Sequence, residues 1–214
     1  MKINPKLKDT IEWIICIIIA IIIALLVKYY VGTPTVVESV SMEPTLYARQ
    51  RLWVNRLIRT NGKLPERGEI ITFEAPSESS YIEQDINTLY PIAQYDYEPQ
   101  GLWEKFTYNV LEIGKTSYIK RVIALPGEHV EIKDGYVYID GEKLQEDYLS
   151  SGIVTDIKKG IYDDFIVPEN TVFAMGDNRP NSQDCRLFGC IPLEKIESTL
   201  SFRFWPLHLF GKVK

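Results

Sequence analysis

The distribution of apolar positions divides the chain in two near Gly32. From Trp13 to Val27 it reads W-I-I-C-I-I-I-A-I-I-I-A-L-L-V, interrupted only by the weakly polar Cys16. That run is shorter than the roughly 20 residues that cross a bilayer. Lys28 can reach the headgroups with its amine, however, while Tyr29, Tyr30 and Val31 complete the span with an interfacial aromatic belt. Isoleucine on every face does not suit a helix packed along one stripe of a core. A cleaved signal peptide has an apolar region of this length, but Lys28, Tyr29 and Tyr30 stand where its cleavage site would need small residues. The pattern predicts an uncleaved transmembrane signal-anchor over residues 13–32, after a short N-terminus of residues 1–12. Lys2, Lys6 and Lys8 before the span, against Lys28 at its far boundary, place the N-terminus in the cytoplasm and export residues 33–214.

Beyond Gly32 the pattern alternates. Thr35–Ser39, Ile70–Phe73, Tyr118–Ala124, His129–Lys133 and Tyr136–Ile139 read as short strands, punctuated by Pro126-Gly127, Asp134-Gly135 and Asp140-Gly141. Val130 to Ile139 is a hairpin closed by Asp134-Gly135 in a two-residue turn. No convincing helix longer than about three turns follows the membrane segment. The expected fold is mainly β: one N-terminal transmembrane helix, then an antiparallel extracytoplasmic β-sheet domain. One segment differs. Residues 76–117 carry seven acidic residues and two lysines, with Tyr81, Tyr90, Tyr95, Tyr97, Tyr108, Trp103 and Phe106. So many aromatics argue against plain disorder, and a surface excursion is the expectation, with a folded lid as the alternative.

Composition narrows the function. The net charge of −5, from 24 basic and 29 acidic residues, lacks the basic footprint of a nucleic-acid binder. Three cysteines and two histidines cannot build an all-cysteine zinc site, and Cys16 lies in the apolar run, so no metal or cofactor is expected. A serine nucleophile would need His129 or His208 as base, or else a lysine kept neutral by desolvation. His129 opens a strand and His208 follows an aromatic run that looks like packing. Lys120 stands in the apolar stretch Y-I-K-R-V-I-A-L, sharing a face with Tyr118, Val122 and Ala124 while Arg121 points away. Taken alone, a strand lysine is usually a solvated edge residue. Ser39 and Ser41 share one face of an extended chain ahead of Pro44, a pattern that by itself means a turn.

Together these pieces resemble the bacterial type I signal peptidase family. The stretches S-M-E-P-T-L at Ser41, R-G-E-I-I-T-F from Arg67, K-R-V-I-A-L-P-G-E from Lys120 and G-D-N-R-P-N-S-Q-D-C-R from Gly176 match its ectodomain signatures in order. The upstream anchor and the closing F-R-F-W-P match as well, and only the segment 76–117 falls outside. The resemblance implies a Ser-Lys dyad endopeptidase acting on preprotein signal peptides at the bilayer surface. Ser41 would be the nucleophile and Lys120 the general base. Ser39 and the Ser41 N–H would form the oxyanion hole, and Ser182 would orient the lysine amine. Asp184 and Arg186 match a supporting ion pair, with Asp177 and Arg179 supporting in the same loop. No obligate oligomer is implied.

Three positions depart from the family pattern. Cys185 replaces a serine, Glu69 stands where aspartate is commoner, and the acidic segment precedes the lysine strand. Cys185 and Cys190 are near enough in sequence to close a short disulfide in an exported domain, but two reduced, packed thiols are the favoured reading, because a bridge there would strain the loop. Two other readings remain. Self-cleaving Ser-Lys repressors need a DNA-binding module where the oily helix stands, and an inactive membrane-tethered binding module would be free to lose Ser41 or Lys120.

Overall fold

The computed structural model describes residues 5–77, 91–156 and 162–213. Lys2, Tyr81 and Tyr90 lie outside them. Helix α1 (Pro5–Leu26) passes into a wider turn, Val27–Val31. It begins ahead of the apolar run because Pro5 is tolerated in a first turn and Lys8 and Glu12 pair one turn apart at 3.7 Å. Lys8–Val31 is 24 residues long, its most apolar 18-residue stretch has a mean hydropathy of 3.0 and is not buried in protein, and it is long and apolar enough to cross a membrane.

The rest is mainly antiparallel β. A seven-stranded sheet has the order β1-β2-β11-β3-β4-β9-β10, built from β1 (Gly32–Val36), β2 (Arg51–Asn55), β3 (Ile70–Glu74), β4 (Ser117–Ala124), β9 (Thr171–Met175), β10 (Ile191–Pro192) and β11 (Ile196–Trp205). A four-stranded sheet has the order β7-β6-β5-β8, from β5 (His129–Lys133), β6 (Tyr136–Ile139), β7 (Glu142–Lys143) and β8 (Asp164–Ile166). The β5–β6 hairpin pairs Val130 with Ile139 through Lys133 with Tyr136. Asp134 and Gly135 at its tip both have positive φ, 53° and 81°, as a turn that follows the strand twist requires. Val130, Ile132, Val137 and Ile139 point inward and join Val122, Ile123, Phe173 and Phe188 in the main core.

Two expectations change. The first strand ends at Val36 rather than Ser39, because the chain beyond it turns inward to bury Met42 and Leu46 against Val37, Leu52 and Ile70. Part of the acidic segment is also built into the body rather than laid over it. Ala93 is in the main core, and its N–H donates to the Cys190 carbonyl at 2.9 Å. Helix α2 (Gly101–Asn109) follows, and at 2.5 turns it keeps within the expected helix length.

Candidate active site

Lys120 is carried by β4, which lies between β3 and β9, with Ile71 opposite it in register. It is therefore an interior residue, 3% exposed, and not the solvated edge lysine that a strand position alone suggests. Its amine donates to Ser41 Oγ at 2.8 Å and to the Ile119 carbonyl at 3.0 Å, with the Tyr118 ring 5.4 Å away on the same face. Burial lowers its pKa to about 8, against the opposing pull of the Asp184 carboxylate.

Ser41 is 5% exposed and sits in a turn rather than at a strand end. Two forces hold that turn. Met42 and Leu46 are fully buried beneath it, and the loop after β9 grips it from the side. Asn178 N–H donates to the Ser41 carbonyl at 3.0 Å, and the Asn178 side-chain amide to the Val40 carbonyl at 3.1 Å. Ser39 Oγ lies 3.0 Å from Ser41 Oγ. Gly176 opens the gripping loop at a point where a Cβ would overlap both Ser182 Oγ and the Ser41 carbonyl oxygen, so only glycine fits.

The charged residues of this loop form three buried pairs. Asp184 caps the short helix Cys185–Phe188 and takes Arg186 Nε and Nη2 at 2.9 Å each, with the Gly176 N–H at 3.1 Å. Burial pushes the Asp184 carboxyl up, but Arg186, the Ser182 hydroxyl and the Gly176 amide outweigh it and hold the group below the usual carboxylate range. Ser182, 1% exposed, thus hydrogen-bonds Asp184. Asp177 receives Arg121 in a fork, Nε at 2.9 Å and Nη2 at 2.7 Å, and Thr45 Oγ1 at 2.5 Å. Arg179 pairs with Glu146 and Thr155. Cys185 and Cys190 are buried free thiols, and the Cys185 sulfur accepts the Ala174 N–H at 3.2 Å.

Neither histidine belongs to this cluster. His129 pairs with Asp164 at 2.7 Å on the four-stranded sheet, and His208 is exposed on a turn after β11. Among the described residues, no three of His, Cys, Asp or Glu are grouped to hold a metal ion. Arg121, Thr45, Asn178 and Glu146 complete the site and were missed in the sequence. Thr45, Arg121 and Asn178 stand inside the quoted signatures, which was the signal available for them; Glu146 stands outside all four.

A family model described as signal peptidase, peptidase S26, matches residues 10–205. The chain belongs to the S26 signal peptidase family. It is 32% identical to signal peptidase I S of Bacillus subtilis, over 97% of this chain and 95% of that protein. With signal peptidase IB of Staphylococcus aureus it shares 29%, over 95% and 93% respectively. A crystal structure of a signal peptidase I from Enterococcus faecalis V583 is 31% identical and matches 65% of this chain and 98% of its own, with a TM-score of 0.39. As an S26 peptidase the protein is an enzyme, and the Ser41–Lys120 contact brings a hydroxyl and a buried amine together.

Proposed function

We propose that this S26 peptidase is anchored in a membrane by residues 13–32 and removes N-terminal signal peptides from exported preproteins, with Ser41 as nucleophile and Lys120 as general base. The observation that carries this reading is the 2.8 Å contact between a hydroxyl and an amine whose pKa is lowered to about 8. An amine at its ordinary pKa near 10.5 has almost no free base at neutral pH, whereas one near 8 has a working fraction.

Neutral Lys120 takes the Ser41 proton as Oγ bonds to the scissile carbonyl carbon, and the carbonyl oxygen becomes an oxyanion. The Ser41 N–H and the Ser39 hydroxyl, already 3.0 Å from Ser41 Oγ, are the donors at hand to stabilise it. The lysine ammonium then protonates the leaving amine, releasing the mature protein and leaving an acyl-Ser41. Water, deprotonated by the same lysine, hydrolyses the ester and regenerates both side chains. Asp184 and Arg186 hold the loop that positions Ser182 and Ser41 without meeting the substrate.

Substrate entry suits the fold. β1 is the free edge of the seven-stranded sheet and continues directly from the helix, so an extended segment leaving the bilayer can pair with it. Val36, Val40 and Tyr47 near Ser41 are exposed and apolar, as a site at a lipid surface requires. The amine-to-hydroxyl contact also favours an enzyme over a tethered binding module. The test is incubation of the purified full chain in lipid vesicles with a preprotein, followed by N-terminal sequencing of the product. The expected result is one cut after the small-residue motif, lost in Ser41→Ala and Lys120→Ala. Cleavage that persists in both folded variants would overturn the assignment.

A further inference from the structure

Helix α2 presents an apolar face that the body of the protein leaves open. Leu102 is 90% exposed and Trp103 73%, while Phe106 stacks on Trp103 with ring centroids 5.9 Å apart. Helical periodicity puts these three on one side. Tyr108 falls on the other, where its hydroxyl donates to Glu74 of β3 at 3.1 Å and its ring lies 5.2 Å from the Lys115 amine. The helix is therefore moored by its polar side and turns its oily side outward. Glu104 fixes its start by accepting the Gln100 N–H at 2.7 Å.

The segment after the helix fixes where that face lies. Glu112 pairs with Lys28 at 3.0 Å, in the last turn of the membrane helix, and also with the buried Arg56. Arg56, 5% exposed, in turn donates to the Lys28 carbonyl at 3.4 Å. Ile113, next in sequence, is 63% exposed. Resting on the reading of Lys8–Val31 as a span, Lys28 marks the level of the headgroups, and α2 is tethered to that level within a few residues.

We infer that α2 is a second membrane contact, lying in the phospholipid interface beside the outer end of the span with Leu102, Trp103 and Phe106 immersed. The chemistry fits that occupant. A tryptophan with a leucine and a phenylalanine on one face, and Lys105 free to reach headgroups, is the composition of an interfacial helix. The contact would fix the rotation of the catalytic domain about its single tether, so that β1 and Ser41 stay at the lipid surface.

The test uses the full chain in phosphatidylcholine–phosphatidylglycerol vesicles, with a nitroxide on one cysteine at a time. The labels go on the native Cys16, and on Leu102→Cys and Glu142→Cys in a Cys16→Ser background; Cys185 and Cys190 are buried and do not compete. Power-saturation spectroscopy then compares collisions with oxygen, which partitions into lipid, and with a water-soluble nickel chelate. Oxygen should dominate at Cys16 and Leu102, and nickel at the exposed Glu142. Oxygen dominance at Cys16 with nickel dominance at Leu102 would overturn the inference and leave the anchor intact. Nickel dominance at both would bring down the anchor reading and the inference with it.

Discussion

Lys120 Nζ and Ser41 Oγ meet at 2.8 Å although they lie 79 positions apart in the chain. Each is held by a different means. The lysine is fixed by its strand, paired on both sides in the interior of the sheet, while the serine rides on a turn pinned by two buried apolar side chains and one loop. The precision of the pair therefore depends on residues that touch neither reacting atom.

If Lys120 is the base, activity should rise with pH through its lowered pKa, near 8, and not through a histidine value. Lys120→Arg should be as inactive as Lys120→Ala, since a guanidinium stays protonated. Replacing both His129 and His208 should leave the acidic limb in place. Preprotein turnover measured across pH checks all three. A folded Lys120→Arg enzyme with near-parental turnover would end the proposal.

The same pKa shift predicts a stability cost. A lysine that ordinarily titrates at 10.5 but near 8 when folded binds more protons in the unfolded chain between those values. Stability therefore rises with pH across that window, and the penalty, about 3 kcal/mol, stands in full below it. Lys120→Met keeps the apolar stem and removes the titrating group, at the loss of one hydrogen bond worth about 1 kcal/mol. At pH 7 the variant should be about 2 kcal/mol more stable, and above pH 10.5 the advantage should vanish. Thermal unfolding of the two proteins at both pH values decides it.

The local pattern made β3, β4, β5 and β6 readable, the last two because each alternates inward and outward around an Asp-Gly turn, whereas β2 and β7 to β11 went unread. The start of β1 and the inward turn of residues 40–46 were not readable, since the burial of Met42 and Leu46 depends on partners from β2 and β3. Ser41 and Lys120 were found through motif resemblance. Composition alone left Lys120 as a strand residue of unknown exposure, because whether a strand is interior or edge is decided by long-range pairing. Ala93 was hidden for a related reason: an acidic, aromatic segment carries no local sign that one alanine will enter the core beside Cys190.

Asp184 and Arg186 should matter chiefly to stability. Both are wholly buried, and Asp184→Ala would leave the guanidinium without its carboxylate, at a cost of about 3–5 kcal/mol. The native pair also predicts acid sensitivity. Because the Asp184 pKa is lowered from the ordinary 3.8, its contribution is fully present above that pH and is lost as pH falls through the folded value. Denaturant titration at pH 7 and at pH 3 should show the parent losing more stability on acidification than Asp184→Ala does. Equal losses would remove Asp184 from the account of acid unfolding.

Gly176 offers the sharpest test of how the serine is positioned. A Cβ there would strike the Ser41 carbonyl oxygen, which accepts the Asn178 N–H at 3.0 Å, and also Ser182 Oγ. Neither neighbour can retreat easily, since Ser182 is buried against Asp184 and the Ser41 turn is pinned from below. Gly176→Ala should therefore displace the Ser41 hydroxyl from the Lys120 amine rather than unfold the domain. A displacement near 1 Å lowers turnover by about 100-fold. Because no side chain of Gly176 meets substrate, the loss should fall on kcat, with KM for a preprotein little changed. Ser182→Gly added to Gly176→Ala relieves only one of the two overlaps, so it should recover no more than part of the rate. Near-parental kcat in a folded Gly176→Ala enzyme would show that the loop yields to the added methyl and that the Ser41 turn is held by Met42 and Leu46 alone.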